Sequence, residues 1–140
     1  MKRTLLLTVL ALASIAAQAN PTVESKGMLT SKDGRTLYTF DKDQAGTSNC
    51  SGGCIAAWPA FTVANAALAG GDFSIITRAD GVQQWAFKGM PLYFFAADAK
   101  PGDVNGDNQG GVWHVVRTAK KTSSQSETSG YASTYNYNYN

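Results

Sequence analysis

Apolar and polar residues alternate along this chain in short runs that predict β-strands. The runs cover residues 27–31, 36–41, 72–78, 82–88 and 112–117. They are rich in β-branched and aromatic residues, and polar turns, two of them with an Asp-Gly pair, separate them. At most one or two short helical turns are expected, the clearest at 54–58 just before Pro59. The pattern therefore predicts a mainly β fold.

One stretch of the pattern occurs twice, at a constant offset of 55 residues. The identical pairs are Gly34/Gly89, Leu37/Leu92, Tyr38/Tyr93, Phe40/Phe95, Asp43/Asp98 and Trp58/Trp113. Such a set at one offset without a gap indicates two copies of a single strand–loop–Trp unit. We call residues 27–63 the first copy, residues 72–117 the second copy and residues 64–71 the connector.

The two copies are expected to form one small β domain over residues 27–117, related by a pseudo-two-fold axis. Neither copy is large enough to bury its own apolar face, so each must cover the other. The residues expected in or around the shared core are Leu37, Tyr38, Phe40, Trp58, Trp85, Phe87, Leu92, Tyr93, Phe95 and Trp113.

The segments outside the domain have different compositions. Residues 1–19 resemble a secretory signal peptide, with a basic start, an apolar run over 5–17 and a small-residue cleavage site. A membrane anchor is the alternative, but the run is shorter than the roughly 20 residues needed to span a bilayer. Residues 20–26 are expected to be flexible. The Ser/Thr/Tyr/Asn-rich tail at 118–140 is expected to be disordered, although its Tyr/Asn alternation would also suit β-stacking.

Charge argues against nucleic acid as a partner. Removal of the signal peptide takes away Lys2 and Arg3 and leaves ten basic and ten acidic residues. The basic residues are scattered and form no positive stripe of the kind that binds nucleic acid or anionic membranes. We expect a soluble, exported monomer in the periplasm or outside the cell, with no membrane span after cleavage.

Cys50 and Cys54 flank Ser51-Gly52-Gly53, and an exported protein matures in an oxidising compartment. The glycines allow this loop to curl until the sulfurs meet, so we favour a disulfide. The alternatives are a redox pair or metal ligands, with Met28, Met90 and His114 as further soft ligands for copper. The Cys-x-x-x-Cys spacing matches neither a thioredoxin-type motif nor a haem attachment site.

Tyr38 with Asp43, and Tyr93 with Asp98, are the most prominent candidates for a site. A carboxylate beside a phenol could bind a cation or a polar ligand. A buried tyrosine hydroxyl also needs a hydrogen-bond partner, and an Asp that opens a polar loop often caps backbone N–H groups. Because both copies keep the pair, we favour the structural role.

Asp103, Asn105 and Asp107 place oxygen donors at alternating positions, as at the start of a calcium loop. The rest of that pattern fails, because Asn108 and His114 stand where glycine and glutamate are required. A turn-rich connector is the favoured interpretation. No nucleophile–histidine–acid pattern, phosphate loop or dinucleotide motif is present in the sequence, so an enzyme is not expected and no cofactor is predicted.

Taken with the Asp80-Gly81 turn, these motifs resemble the secreted repeat proteins with a Tyr-x4-Asp motif, many of them predicted bacterial lipoproteins. The matching motifs are Gly-x-x-Leu-Tyr-x-Phe-x-x-Asp at 34–43 and 89–98, the Cys-x-x-x-Cys-x-x-x-Trp-Pro run at 50–59, Pro-Gly-Asp at 101–103 and Gly-Gly-Val-Trp at 110–113. The resemblance implies an exported envelope or extracellular domain and no particular activity. The lipid-bearing cysteine of relatives is absent here, and Ala60 stands where they usually have a second proline.

The sequence thus predicts an exported, non-catalytic protein that binds an unknown partner in the cell envelope or at a surface. The alternative is a small periplasmic copper or redox protein that uses Cys50 and Cys54 with methionine and His114.

Overall fold

A computed structural model describes residues 19–118 of the protein. The strands of this part of the chain are β1 (Thr22–Ser25), β2 (Met28–Ser31), β3 (Tyr38–Phe40), β4 (Phe73–Thr77), β5 (Gln83–Phe87), β6 (Met90–Pro91) and β7 (Trp113–Val115). One short helix, α1, covers Gly53–Ala57, and 3-10 turns cover Ala66–Leu68 and Gln109–Gly111. The mainly β prediction is confirmed.

Antiparallel pairing joins the strands into three small sheets. β1 pairs with β2, β3 pairs with β7, and β4, β5 and β6 form the third sheet in that order. In the central pair, Tyr38 lies opposite Val115 and Phe40 lies opposite Trp113. Because β3 belongs to the first copy and β7 to the second, this sheet is built from both copies.

Backbone hydrogen bonds show that the two copies are related by a pseudo-two-fold axis. The axis passes between Tyr38 and Tyr93, since the amide of each donates to the carbonyl of the other, at 2.9 and 3.0 Å. Away from the axis the bonds come in matched pairs. The Val116 amide donates to the Leu37 carbonyl at 3.0 Å. The same bond recurs at the positions that the repeat makes equivalent, where the Phe61 amide donates to the Leu92 carbonyl at 2.9 Å.

The glycine turn that precedes each repeated strand contacts the loop of the other copy. Gly34 and Gly89 both adopt positive φ, 87° and 84°, which glycine tolerates far better than other residues. The Gly34 carbonyl accepts from the amide of Gly102, and the Gly89 carbonyl accepts from the amide of Gly46, at 3.0 and 2.8 Å. The repeated glycines therefore hold the two copies together at equivalent points.

Four aromatic rings stack in a column through the first half of the core. The two tryptophans, Trp58 and Trp113, lie at the centre with ring centroids 3.9 Å apart and planes within 3°. Phe40 of the first copy stacks on Trp113 of the second at 4.2 Å, and Phe95 of the second stacks on Trp58 of the first at 4.3 Å. Each copy thus completes the ring column of the other.

The second half of the core is mainly aliphatic and lies under the outer hairpins. Leu37 and Leu92 are fully buried there, together with Leu29, Phe73, Trp85 and Val116. Of the ten predicted core residues, eight are buried, and Phe87 and Phe95 are half-buried and pack against the two clusters.

The N-terminal boundary of the domain needs a correction. Residues 20–26 were expected to be flexible, but Thr22–Ser25 forms β1 and pairs with β2, with Thr22 opposite Ser31. The residues of β1 after Thr22 are exposed, and backbone bonds to β2 hold this edge strand in place. Its sequence therefore lacks the alternation of apolar and polar residues that predicts a strand. The predicted signal peptide and tail lie outside the described residues, apart from Ala19 and Thr118. Within residues 19–118 no helix has the length and apolar character needed to cross a membrane.

The pseudo-symmetry predicts that truncation of Leu37 or of Leu92 has the same effect. Both side chains are 0% exposed in the same cluster. Leu37→Ala and Leu92→Ala should each lower the free energy of unfolding by about 2–5 kcal/mol. Urea denaturation measures this, with Val23→Ala at an exposed site as the control, expected within about 0.5 kcal/mol of wild type. A loss at one leucine but not at the other would contradict equivalent packing.

Candidate functional site

The two repeated tyrosines bond to the two repeated aspartates, and each pair crosses between the copies. The Tyr38 hydroxyl donates to Oδ2 of Asp98 at 2.6 Å, and the Tyr93 hydroxyl donates to Oδ2 of Asp43 at 2.7 Å. The sequence suggested pairs within one copy, Tyr38 with Asp43 and Tyr93 with Asp98. The structure instead gives each tyrosine the aspartate of the other copy, because the loop that carries each aspartate folds over the other copy.

The second oxygen of each aspartate holds the loop in which it lies. Oδ1 of Asp43 accepts from the Asn49 amide at 2.7 Å, and Oδ1 of Asp98 accepts from the Asn105 amide at 3.0 Å. A carboxylate that accepts backbone N–H bonds across a polar loop replaces regular secondary structure as the source of order. Each aspartate therefore links its own loop to the core tyrosine of the other copy.

Burial shapes the acid–base properties of both pairs. Both tyrosines are fully buried, and burial, with the neighbouring carboxylates, raises the pKa of Tyr38 and of Tyr93 well above the ordinary value. Burial also raises the pKa of Asp43, against the opposing hydrogen bonds from Tyr93 and Asn49 and the charge of Arg78. The tyrosines therefore stay protonated at neutral pH and act as donors.

Arg78 is a buried charge that sequence reasoning missed. Its side chain is only 4% exposed. Nη1 donates to the Ser48 hydroxyl at 2.7 Å and to Oε1 of Gln84 at 2.9 Å, while Nη2 donates to the Cys50 carbonyl at 2.6 Å. The available signal was a lone arginine directly after the apolar strand β4, but a charged residue at a strand end is usually exposed.

Ser48 connects Arg78 to the Tyr93–Asp43 pair. Its hydroxyl lies 2.6 Å from the Tyr93 hydroxyl, and because Tyr93 donates to Asp43, Ser48 donates to Tyr93 and accepts from Arg78. We call Asp43, Tyr93, Ser48, Arg78 and Gln84 the Arg78 network. The hydroxyls of Ser48 and Tyr93 thus form a hydrogen-bonded chain from the buried guanidinium of Arg78 to the buried carboxylate of Asp43. This chain compensates both charges inside the fold.

The predicted disulfide is confirmed. Cys50 and Cys54 are bonded, with their Cα atoms 5.3 Å apart, at the start of α1. At the equivalent positions of the second copy, the Gln109 side chain donates to the Asn105 carbonyl at 3.0 Å. A five-residue ring removes little unfolded-state entropy, about 2 kcal/mol on the loop-closure model. The disulfide therefore acts as a local clamp where the other copy uses a hydrogen bond.

Two of the three residues suggested for calcium, Asp103 and Asp107, use their carboxylates within the protein. Oδ2 of Asp103 accepts from the amides of Ala99 and Lys100, at 3.0 and 2.9 Å. Asp107 accepts from the Val115 amide through Oδ1 and from Arg117 through Oδ2. Asn105 contributes its backbone, which donates to Asp98 and accepts from Gln109. These contacts tie the loop after Asp98 to β7, as the connector interpretation expects.

The groups suggested for copper are dispersed over the fold. Met28 lies in β2, Met90 in β6 and His114 in β7, which belong to three different sheets. Both cysteine sulfurs are in the disulfide. Within residues 19–118, no cluster of three or more His, Cys, Asp or Glu side chains has the arrangement of a metal site.

His114 is half-exposed, and its Nε2 lies 2.8 Å from Oδ2 of Asp41. A carboxylate can orient a histidine for catalysis, but the arrangement also needs a nucleophile on the other side of the ring. In the described part of the chain, no serine or cysteine side chain hydrogen-bonds to His114. The pair joins β7 to the residue that follows β3 at the surface.

Comparison with known proteins agrees with the internal repeat. The model of a family described as a secreted repeat of unknown function matches residues 22–62 and 74–117. The two matched segments correspond closely to the two copies, and the first begins at β1, which supports the corrected boundary. No curated protein and no solved structure matches the chain.

The buried tyrosines predict a loss of stability at alkaline pH. Above the ordinary tyrosine pKa of about 10, an unfolded tyrosine loses its proton while the folded one, with its raised pKa, keeps it. The free energy of unfolding keeps its full value below about pH 10. Above that pH it falls as the pH rises, by about 1.4 kcal/mol per pH unit for each tyrosine.

Urea denaturation across this range measures the effect. Tyr38→Phe and Tyr93→Phe should each reduce the slope of the free energy of unfolding against pH by that amount. The comparison uses slopes because each variant also lowers stability at neutral pH. Variants with the wild-type slope would show that the tyrosines ionise equally in the folded and unfolded states.

Proposed function

Because this chain belongs to the family of secreted repeats of unknown function, we propose that it is an exported, non-catalytic binding protein of the bacterial cell envelope or extracellular space. The duplicated motif serves as the scaffold, and the binding surface lies on the loops and grooves around it. The partner is an envelope or surface component, and the protein acts as a monomer.

One observation carries this proposal: both copies use the Tyr–Asp contact for the same internal purpose. Tyr38 and Tyr93 are 0% exposed, and in each copy the aspartate uses its second oxygen to hold a loop. A group that binds substrate or transfers a proton to it must reach the substrate. Fully buried phenols whose protons are committed to carboxylates suit a structural role.

The other polar groups of the interior support the same interpretation. The guanidinium of Arg78 bonds to Ser48, Gln84 and the Cys50 carbonyl inside the fold, and its Nε donates to the Asp80 carboxylate at the surface. Catalytic sites usually keep some perturbed groups open to a cleft. Here Tyr38, Tyr93 and Asp43, the groups whose pKa burial raises, hold the loops and the two copies together.

The disulfide and the intertwined core favour an exported monomer. Disulfides form and persist in oxidising compartments such as the periplasm and the extracellular space. The ring column and the central sheet are each completed by the second copy of the same chain, so the core needs no second molecule.

A thermal-shift screen of the full mature chain tests the proposal. The probes are copper, zinc and calcium salts, soluble peptidoglycan fragments and lipopolysaccharide. A component that binds the native state, added at about 100 times its Kd, adds about 2.7 kcal/mol to the free energy of unfolding and raises Tm. We expect Tm to rise with an envelope component and no metal to bind at a stoichiometric level. Mass spectrometry after incubation should show that the ligand is chemically unchanged.

Tyr93→Phe is the control that shows whether the Tyr–Asp motif is structural or binds the ligand itself. It should lower Tm without the ligand and keep the ligand's affinity. Chemical conversion of the bound component would establish an enzyme, and stoichiometric copper would establish the metal-protein alternative. Loss of affinity in a folded Tyr93→Phe protein would show that the motif itself is the site.

A further inference from the structure

The pseudo-two-fold axis relates two open grooves, one beside each outer hairpin. The first lies beside Leu29 and has a volume of about 350 Å³, and the second lies beside Trp85 and has a volume of about 340 Å³. Leu29 and Trp85 occupy equivalent positions: their carbonyls accept from the amides of Leu37 and Leu92, at 3.1 and 2.9 Å. The duplication has therefore produced two versions of one concave surface.

The first groove is lined by four charged side chains, three of which are paired with each other or with a neighbour. Lys88 lies 4.0 Å from Asp72, and Arg117 lies 2.6 Å from Asp107. Glu24 adds a further carboxylate to the lining. This groove has the character of a solvated surface.

The second groove has an apolar lining, and we call it the aromatic groove. Its larger apolar side chains are Phe61, Leu68 and Trp85, with Pro21 and Ala64 beside them. Its polar rim includes Lys32, Asp33 and Asn65. Thr62 replaces the arginine found at the equivalent position of the first groove, residue 117. The two copies have thus diverged at a surface where their backbones still correspond.

Local structure holds the apolar walls of the aromatic groove in place. Phe61 packs edge to face against Phe94, with ring centroids 5.3 Å apart. The Asn65 side chain accepts from the Ala67 amide at 3.0 Å and caps the 3-10 turn that carries Leu68. Trp85 is 2% exposed and lies at the base. A preformed wall reduces the entropy lost when a ligand binds.

We propose that the aromatic groove binds a small planar aromatic molecule that carries an anionic group; this assignment deepens the binding function proposed above. Its volume lies at the lower end of the range for small-molecule sites and is too small for a folded partner. The half-buried ring of Phe61 favours a flat aromatic ligand, and Trp85 lies beneath it as the closed base of the groove. The ring would lie against Phe61 and Leu68.

Lys32 supplies the charge complementarity. It is exposed on the rim, and within residues 19–118 its ammonium forms no salt bridge. The carboxylate of Asp33 also lies on the rim, where it accepts a hydrogen bond from the Ser31 hydroxyl and keeps its negative charge. Lys32 is the single basic residue among those that line this groove, so it is the group that would orient an anionic substituent, as rim charges commonly do.

Titration of the full mature chain with 8-anilinonaphthalene-1-sulfonate, an aromatic anion, tests the assignment. We expect saturable binding with one site per chain. Leu68→Asp should raise the Kd about tenfold or more by placing a carboxylate on the apolar wall. Lys32→Gln should weaken binding and reduce its dependence on salt.

Lys88→Gln is the matched control. Lys88 is the lysine in the lining of the first groove, on the turn that corresponds to the Lys32 turn, and its replacement should leave the Kd unchanged. Tm and near-ultraviolet circular dichroism establish that each variant is folded. Non-saturable binding, binding unchanged by both groove variants, or equal weakening by Lys88→Gln would overturn the assignment. If an envelope component still raises Tm in that event, only the groove assignment fails and the binding function stands.

Discussion

The structure depends on one exchange: each copy of the repeat supplies the hydrogen-bond acceptor for the buried tyrosine of the other. Tyr38 and Tyr93 meet at the pseudo-two-fold axis through reciprocal backbone bonds, and their hydroxyls reach Asp98 and Asp43 across it. A buried phenol without a partner is destabilising, so neither copy is satisfied alone. The ring column follows the same rule, since Phe40 stacks on the tryptophan of the second copy.

The two copies differ most in the parts that take no part in the exchange of tyrosine and aspartate partners. The first-copy loop is clamped by the Cys50–Cys54 disulfide and by Arg78, whereas the second-copy loop uses a side-chain amide at the same position. The grooves beside the hairpins have diverged further, one becoming charged and the other apolar. A fixed interior with variable loops and grooves is the usual arrangement of a binding scaffold, because function resides in surface segments positioned by a rigid core.

The sequence predicted the repeat, the mainly β class, the disulfide and the core, because identities at one offset and aromatic alternation report directly on packing. It did not predict which aspartate meets which tyrosine. Residues five apart suggest a local pair, and only the path of the loop takes Asp43 to Tyr93. Burial of Arg78 was missed because its partners Ser48, Cys50 and Gln84 are distant in sequence or unremarkable in type. The aromatic groove was missed because Leu68 lies in a connector of small residues with no periodic pattern.

Double-mutant cycles on the free energy of unfolding test the exchange most directly. For Tyr38→Phe with Asp98→Ala, and for Tyr93→Phe with Asp43→Ala, we expect coupling of about 1.5–3 kcal/mol, the range for hydrogen bonds to charged groups. Tyr38→Phe with Asp43→Ala should be additive within about 0.5 kcal/mol, because those side chains bond to different partners. Strong coupling of Tyr38 to Asp43, with additivity between Tyr38 and Asp98, would contradict the account.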